Sequence, residues 1–460
     1  MGNGCSIYKK MDTIVALSTP LGVSGIGLIR LSGPDCQRLA CEIFGRESLR
    51  PRYSYLGQYR LLEQPDFVVD APLFVYFEAN ASYTGEPMLE ISCHGNPLIL
   101  QQVIRDCIQR GCRQAEPGEF TRRAFLNGKI DLCQAESIED LIHSQSLQAL
   151  NIAQKQLGGS LSHKMEAFVD VLTDQLAFVE AYLDFPEEDL PEEDRQHFEN
   201  NLDDILNQLE ELINAHKFYT PLHNGIQTVI VGAPNAGKST LLNTLLGQER
   251  AIVSDVPGTT RDFITEWYHL EPYTLKLIDT AGLHDTKEKI EKLGIEKTFD
   301  QVKKADFILW VLDGSQPWND TLNRLKSLFP KEKTLVVLNK SDLGLRAELQ
   351  DEIEDYACCE VSLKAEGGLL VIESAMHLFL NKYYNDFSQV EFMVHERHAE
   401  ALKQAQEALT KAKTLLKGFG YDDCLASELK NAIYAFETIV GRVDYERVLD
   451  KIFSKFCIGK

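Results

Sequence analysis

The stretch that most limits how this chain folds is Gly232-Ala233-Pro234-Asn235-Ala236-Gly237-Lys238-Ser239. An apolar run, Ile226 to Val231, precedes it and reads as a buried parallel strand. Thr240 to Leu246 follows and reads as a helix whose apolar face packs on that strand. Strand, glycine-rich turn and helix N-terminus make a phosphate cradle. Backbone N–H groups point inward, the helix dipole favours negative charge, Lys238 reaches the β/γ-phosphates and Ser239 offers a hydroxyl to Mg²⁺. The plain alternative is a glycine-rich surface turn, and the rest of the chain decides against it.

Three more elements follow in the order a GTPase requires. Leu275 to Ile278 is an apolar strand ending in Asp279-Thr280-Ala281-Gly282, where Asp279 suits the Mg²⁺ shell and Gly282 the γ-phosphate. Thr334 to Leu338 ends in Asn339-Lys340-Ser341-Asp342, and Asp342 is suited to accept the N1 and N2 hydrogens of guanine, which adenine does not offer. Val361-Ser362-Leu363-Lys364 would close over the base. Between loop and second strand, Pro257-Gly258-Thr259-Thr260 supplies Thr260 as a second side-chain ligand for Mg²⁺. Each tetrapeptide alone is a weak signal; four at strand C-terminal ends, in order, specify GTP over ATP.

The residue after Asp-Thr-Ala-Gly is Leu283, which has no group to orient the attacking water where a small GTPase would use Gln. Two candidates lie nearby. Asn235 has a side-chain oxygen for a monovalent cation, placed where an arginine finger would put its charge. Glu291, among lysines, is suited to orient the water or else belongs to a solvated face.

With 460 residues the chain is long enough for about three domains, and its net charge of −22 argues against holding nucleic acid through bulk electrostatics. An RNA substrate would need a local basic patch or a more basic partner. No apolar run reaches the length of a membrane span, and the eleven scattered cysteines suit reduced cytoplasmic thiols. Met1-Gly2-Asn3-Gly4-Cys5-Ser6 formally matches an acylation pattern, but residues 1–11 read better as a loose extension.

Strand signals at Thr13 to Leu17, Ile26 to Leu31, Phe67 to Phe77 and Met88 to Ser92, with a helix between Pro97 and Arg110, predict an α+β domain over 12–128. Cys93 and His94 invite a nucleophile reading, although neighbours on a strand face opposite sides. A long 3.6-residue period starts at Leu132 and continues through Leu147, Leu150 and Leu157. Further amphipathic runs cover Leu161 to Leu183 and Phe198 to His216, and helical periodicity resumes from about 391 to 453. The acidic stretch from Phe185 to Asp194 reads as a connector. The fold class is therefore multidomain α/β and α+β. An α+β N-terminal domain precedes a discontinuous helical bundle (129–220 and 384–460), into which a doubly wound P-loop GTPase domain (221–383) is inserted.

Asp12-Thr13-Ile14-Val15-Ala16, Gly27 through Gly33, Pro117-Gly118-Glu119-Phe120, Ala124 through Lys129, the four nucleotide elements and the terminal Phe456-Cys457-Ile458-Gly459-Lys460 resemble the tRNA modification GTPase MnmE (TrmE) family. The resemblance spans everything after Met11. It implies a tetrahydrofolate-binding and dimerising N-terminal domain, and K⁺-dependent GTP hydrolysis that drives G-domain dimerisation and conformational change in a homodimer. It also implies a heterotetramer with the FAD- and NADH-using MnmG (GidA). That assembly places a carboxymethylaminomethyl or aminomethyl group on carbon 5 of the tRNA wobble uridine, with carbon from 5,10-methylene- or 5-formyl-tetrahydrofolate. The more basic partner would carry most of the tRNA contact, and the assembly would be cytoplasmic, with no membrane role.

By position, the resemblance makes Asn235, Ser254, Val256 and Thr259 the K⁺ shell, Ser239 and Thr260 the Mg²⁺ ligands, and Glu291 the water-orienting glutamate. The catalytic set is then Glu291, Asn235, Lys238 and Cys457, with Cys457 near the folate. The GTP contacts add Ala236, Gly237, Thr240, Asp255, Pro257 and Gly258. Beyond these come Asp279, Thr280, Ala281 and Gly282, and on the base side Asn339, Lys340, Asp342, Ser362, Leu363 and Lys364. Arg30, Glu90, Lys129 and Lys460 match the folate positions, with surface ion pairing as the alternative for each. His284 departs from the arginine common in relatives, and Asn96 from a common glycine. A different class, a ribosome-assembly or signalling GTPase, would have no use for the folate positions or the terminal cysteine. A folate enzyme with a vestigial switch would have no use for four complete nucleotide elements.

Overall fold

The computed structural model describes residues 12–184, 192–247, 251–252, 265–278, 301–384, 390–418 and 423–442, together with 449, 452–454, 456 and 459. The chain divides into two compact units. One comprises Met1–Glu139, Leu157–Asp174 and Ile433–Lys460; the other comprises Asp140–Gln156 and Gln175–Ala432. Helical segments fall in both.

The first unit is built on a six-stranded sheet. Its strands are β1 (Ile14–Leu17), β2 (Ser24–Ser32), β3 (Ser54–Leu56), β6 (Leu73–Phe77), β7 (Met88–Gly95) and β8 (Arg113–Gln114), in the order β3-β6-β7-β2-β1-β8. Two short strands, β4 (Tyr59–Arg60) and β5 (Val68–Asp70), pair separately. Helices α1 (Cys36–Phe44) and α2 (Pro97–Gln109) bury Leu39, Ile43, Leu100 and Val103 against Ile29, Leu31, Phe74 and Ile91 of the sheet. Asn96 starts α2 by accepting the Leu98 N–H at 2.9 Å, with Pro97 in the first turn. That gives the departure at position 96 a structural reason. Helix α3 (Glu119–Leu126) completes the unit's edge.

The single strand expected over Phe67 to Phe77 is two. Pro72 has no N–H for a ladder, and Asp70 turns inward, accepting from the Ala71 and His94 amides at 2.8 Å each. The continuous helical period from Leu132 is likewise split into α4 (Leu132–His143) and α5 (Leu147–Leu157), because Ser146 caps the second helix through the Ala149 N–H. Residues 449, 453 and 456 pack on Leu132 and Ile138. Ser18 Oγ donates to the Gly459 carbonyl at 2.9 Å, which ties the chain's end to the sheet.

Helices α6 (Ser160–Asp184) and α7 (Glu192–Ala215) carry the next amphipathic runs, and α8 (Tyr219–Asn224) leads into the second sheet. That sheet has seven strands: β9 (Ile226–Gly232), β10 (Ala251–Ile252), β11 (Thr265–Leu270), β12 (Tyr273–Ile278), β13 (Phe307–Asp313), β14 (Thr334–Asn339) and β15 (Ala357–Glu360). Their order is β10-β11-β12-β9-β13-β14-β15, parallel from β12 onward. Apolar runs such as Phe307–Leu312 are buried throughout because both faces are covered. The covering helices are α9 (Lys238–Leu246), α10 (Asp320–Lys326), α11 (Ala347–Glu352) and α12 (Gly368–Tyr384), followed by α13 (Glu396–Gly418) and α14 (Asp423–Val440).

Helical structure resumes at Glu396 rather than near 391. Residues 390–395 form a connection whose polar groups are taken by side chains. Gln156, which is buried, donates to the Met393 carbonyl at 3.2 Å and accepts its N–H at 2.7 Å. His216 reaches the Val394 carbonyl at 2.7 Å. The Asp140 carboxylate, 1% exposed, lies 2.8 Å from His395 Nε2, 3.4 Å from the Tyr219 hydroxyl and 3.7 Å from His223 Nε2. The chain segments entering and leaving the seven-stranded sheet are thus fastened to one buried carboxylate.

Candidate nucleotide-binding site

The parallel register sets the site. Asp313 and Asn339 are the last paired residues of β13 and β14, and Gly232 ends β9 beside Val311. All lie at the carboxyl edge of the sheet, where an α/β fold binds ligands. From that edge the phosphate loop turns into α9. Asn235 is exposed and left-handed at φ 63°, and Gly237 is left-handed at φ 110°. A Cβ at Gly237 would stand 2.2 Å from Asn339 Nδ2, so both backbone and neighbour demand glycine.

Lys238 folds over its own loop, donating to the Gly232 and Ala233 carbonyls at 3.0 and 2.9 Å. Ser239 and Thr240 are exposed at the first turn of α9. Asn339 is 4% exposed and bridges two loops. Its Nδ2 donates to the Ala236 carbonyl at 2.9 Å, and its Oδ1 accepts the Leu363 N–H at 3.1 Å. Phosphate loop and base-side loop are therefore one hydrogen-bonded body. Asp342 is exposed on a single 3₁₀ turn, Ser341–Leu343; Ser362 is buried and Lys364 exposed.

Sequence reading missed one member of this edge. Asp313 pairs with Lys340 Nζ at 2.6 Å, and its other oxygen accepts the Ser315 hydroxyl and N–H at 2.6 and 3.1 Å. Burial raises this carboxyl, but the Lys340 and Ser315 contacts outweigh it and hold the group below its usual value. The signal was present: Asp313 ends an apolar run just as Asn339 does.

Of the remaining predicted nucleotide residues, Ser254, Asp255, Val256, Pro257, Gly258, Thr259, Thr260, Asp279, Thr280, Ala281, Gly282 and Glu291 lie outside the described residues, as do Leu283 and His284.

In the first unit, Arg30 and Glu90 face each other in register across β2 and β7. Arg30 Nε and Nη2 both donate to Glu90 Oε1, at 2.9 and 2.8 Å, which leaves Oε2 for another donor. Glu90 lines a cavity of about 330 Å³ with Arg52, Ser82, Tyr83 and Met88. The Arg30 guanidinium lies 5.6 Å from the Tyr83 ring centre, and Lys129 Nζ donates to the Asn80 carbonyl at 2.5 Å, on the loop carrying Ser82 and Tyr83. Arg30, Glu90 and Lys129 are thus gathered around one short loop; Cys457 and Lys460 lie outside the described residues. Cys93 and His94 form no dyad. Cys93 is buried, its thiol pushed up to about 12 by burial, while exposed His94 turns to Asp70 at 2.7 Å.

A phosphate loop braced by a base-side asparagine at the carboxyl edge of a parallel sheet defines a P-loop GTP hydrolase. Residues 13–129 match the GTP-binding protein TrmE N-terminus and 132–457 the MnmE helical domain. The chain belongs to the MnmE (TrmE) family of tRNA modification GTPases. It is 44% identical to the tRNA modification GTPase MnmE of Opitutus terrae over 450 residues, covering 98% of this chain and 99% of that one. It is 38% identical to the MnmE of Aquifex aeolicus over 452 residues, covering 98% and 100%. The G domain of the T. maritima FeoB iron transporter matches 34% of this chain and 98% of its own, at 23% identity and a TM-score of 0.27, a likeness too slight to carry an argument. Among the described residues no helix is long and apolar enough to cross a membrane.

Proposed function

We propose that this GTP hydrolase acts in tRNA modification. It is potassium-dependent, dimeric and paired with the FAD-dependent MnmG, and it installs a carboxymethylaminomethyl or aminomethyl group on carbon 5 of the wobble uridine using a tetrahydrofolate-borne carbon. The observation that carries this reading is the end-to-end relationship to tRNA modification GTPases, N-terminal domain included. A GTPase with another task would have no need of that domain. In this reading 12–128 hold folate and dimerise, 221–383 bind GTP, and 129–220 with 384–460 form the helical bundle.

The residues fit these groups. Lys238 exchanges two neutral carbonyls for phosphate oxygens, a charge-assisted and stronger pairing. The exposed Ser239 hydroxyl, in the first turn of α9, suits Mg²⁺, and the exposed Asn235 amide suits K⁺. Either cation would supply positive charge where negative charge gathers on the transferring phosphoryl group. Asp342 reads guanine, and Glu291 orients the attacking water. Glu90 Oε2 is placed to accept an amine or amide edge of a pterin in the cavity it lines, with Arg30 and Lys129 nearby for the glutamate tail. Nucleoside analysis of tRNA from cells lacking the chain tests the reading; a wobble uridine modified as before would sink it.

A further inference from the structure

Lys340 is one of four described non-glycine residues with positive φ, at 64°. A left-handed conformation at a side-chain-bearing residue costs about 1–2 kcal/mol and persists only where the surroundings impose it. Those surroundings converge on Asp313. Its neighbour Gly314 donates to the Asn339 carbonyl at 2.8 Å and accepts the Arg346 N–H at 3.0 Å. A Cβ at Gly314 would meet Leu345 at 2.3 Å, so the two turns touch closely. The carboxylate then bridges them. One oxygen is anchored to Ser315 on its own turn and the other holds the Lys340 ammonium.

Asp313 is the less exposed partner, at 15% against 31% for Lys340, so the lysine is docked onto a fixed charge rather than the reverse. The residue before Lys340 braces the phosphate loop, and Asp342 follows two positions later. We propose that Asp313 is a positioning residue for base recognition: through Lys340 it fixes the left-handed turn that presents the Asp342 carboxylate to guanine. This rests on the reading of the site as a GTP site. An unclamped Lys340 would let the turn relax from its costly conformation, and Asp342 would lose its aim while the phosphate loop, held by Asn339, stayed in place.

The test uses the full-length protein and fluorescence titration with GDP and with IDP, which lacks the 2-amino group Asp342 reads. Wild type, Asp313→Asn, Lys340→Met and the double variant are compared. Asp313→Asn is expected to weaken GDP about tenfold and IDP by less, so that the discrimination between them contracts. The double variant should match the weaker single variant within about twofold, since both changes open the same clamp. Equal weakening of GDP and IDP, or additive effects in the double variant, would overturn the proposal by showing a general loosening. Should Asp313→Asn fold poorly, Lys340→Met alone decides, and an unchanged IDP-to-GDP ratio in it counts against the proposal. A wild-type protein that binds no GDP would instead remove the GTP reading itself.

Discussion

Asn339 is the residue on which the nucleotide site's two halves depend. Its amide satisfies one carbonyl in the phosphate loop, out of reach of water, and one part-buried N–H at the base side. Asn339→Ala would leave both unpaired, at a cost of about 3 kcal/mol. The denaturation midpoint should fall, and affinity for GDP should drop with it; a stable variant binding GDP normally would contradict the bracing role. Gly237→Ala addresses the same contact from the other loop. With the new methyl 2.2 Å from Asn339 Nδ2 and a φ of 110°, GDP affinity should fall by about tenfold or more. These residues were legible beforehand because each lies in its own short motif at the carboxyl end of a strand, Gly237 in the phosphate loop and Asn339 in Asn339-Lys340-Ser341-Asp342. The place of Asp313 at the end of an apolar run was visible too, but its pairing with Lys340 was not, since the two lie 27 residues apart and no local spacing links them.

At the scale of elements, α3 packs Phe120 on Ile14 and Ala16 of the first sheet and is also held there by ions. Arg123, largely buried, reaches Asp12 at 2.7 Å, Glu86 at 2.9 Å and Glu119 at 3.0 Å, and Arg113 reaches Asp12 and Glu119 at 2.6 and 2.5 Å. Burial raises the Glu119 carboxyl, but hydrogen bonds from Arg113, the Glu116 amide and Arg123 more than compensate, and it ends below its usual value; Asp12 behaves alike. A carboxyl lowered in the folded state contributes stability above its unfolded pKa, about 4.5, and loses that contribution as pH falls through the folded value. The melting temperature should therefore decline as pH falls below about 5, and the decline should be shallower in Arg123→Gln. Parallel curves for the two proteins would count against this linkage. The break between α4 and α5 teaches a similar lesson about sequence. The apolar period runs on through Leu147 and Leu150, and only the cap at Ser146 interrupts it. Caps are single residues, so periodicity overrides them in a reading from sequence alone.

At the scale of the whole molecule, exchange of Na⁺ for K⁺ should raise the rate of GTP hydrolysis strongly, and Asn235→Ala should abolish the difference. Equal rates in both salts would refute the cation's part. Glu291→Ala should lower kcat with GTP affinity near wild type, the pattern of a contact made in the transition state; lost affinity would make the residue structural. Strands that end in a nucleotide motif and the long amphipathic helices were readable along the chain, whereas β11, β13 and α1 carry no such motif and were not singled out. The Asp140 cluster was not, because its carboxylate gathers Tyr219 from 79 residues away and His395 from 255. No period or motif reports a meeting of that kind.

That cluster has a mechanical consequence. Two separate connections to a sheet, tethers each free to slacken, would pass little torque along the chain. Here the incoming segment at Tyr219 and His223 and the outgoing one at His395 share a single anchorage, reinforced by Gln156 on Met393. Neither tether can be pulled without loading the other through the same carboxylate. The segments on either side of the seven-stranded sheet are therefore coupled at one buried carboxylate, and loss of that carboxylate would free both together.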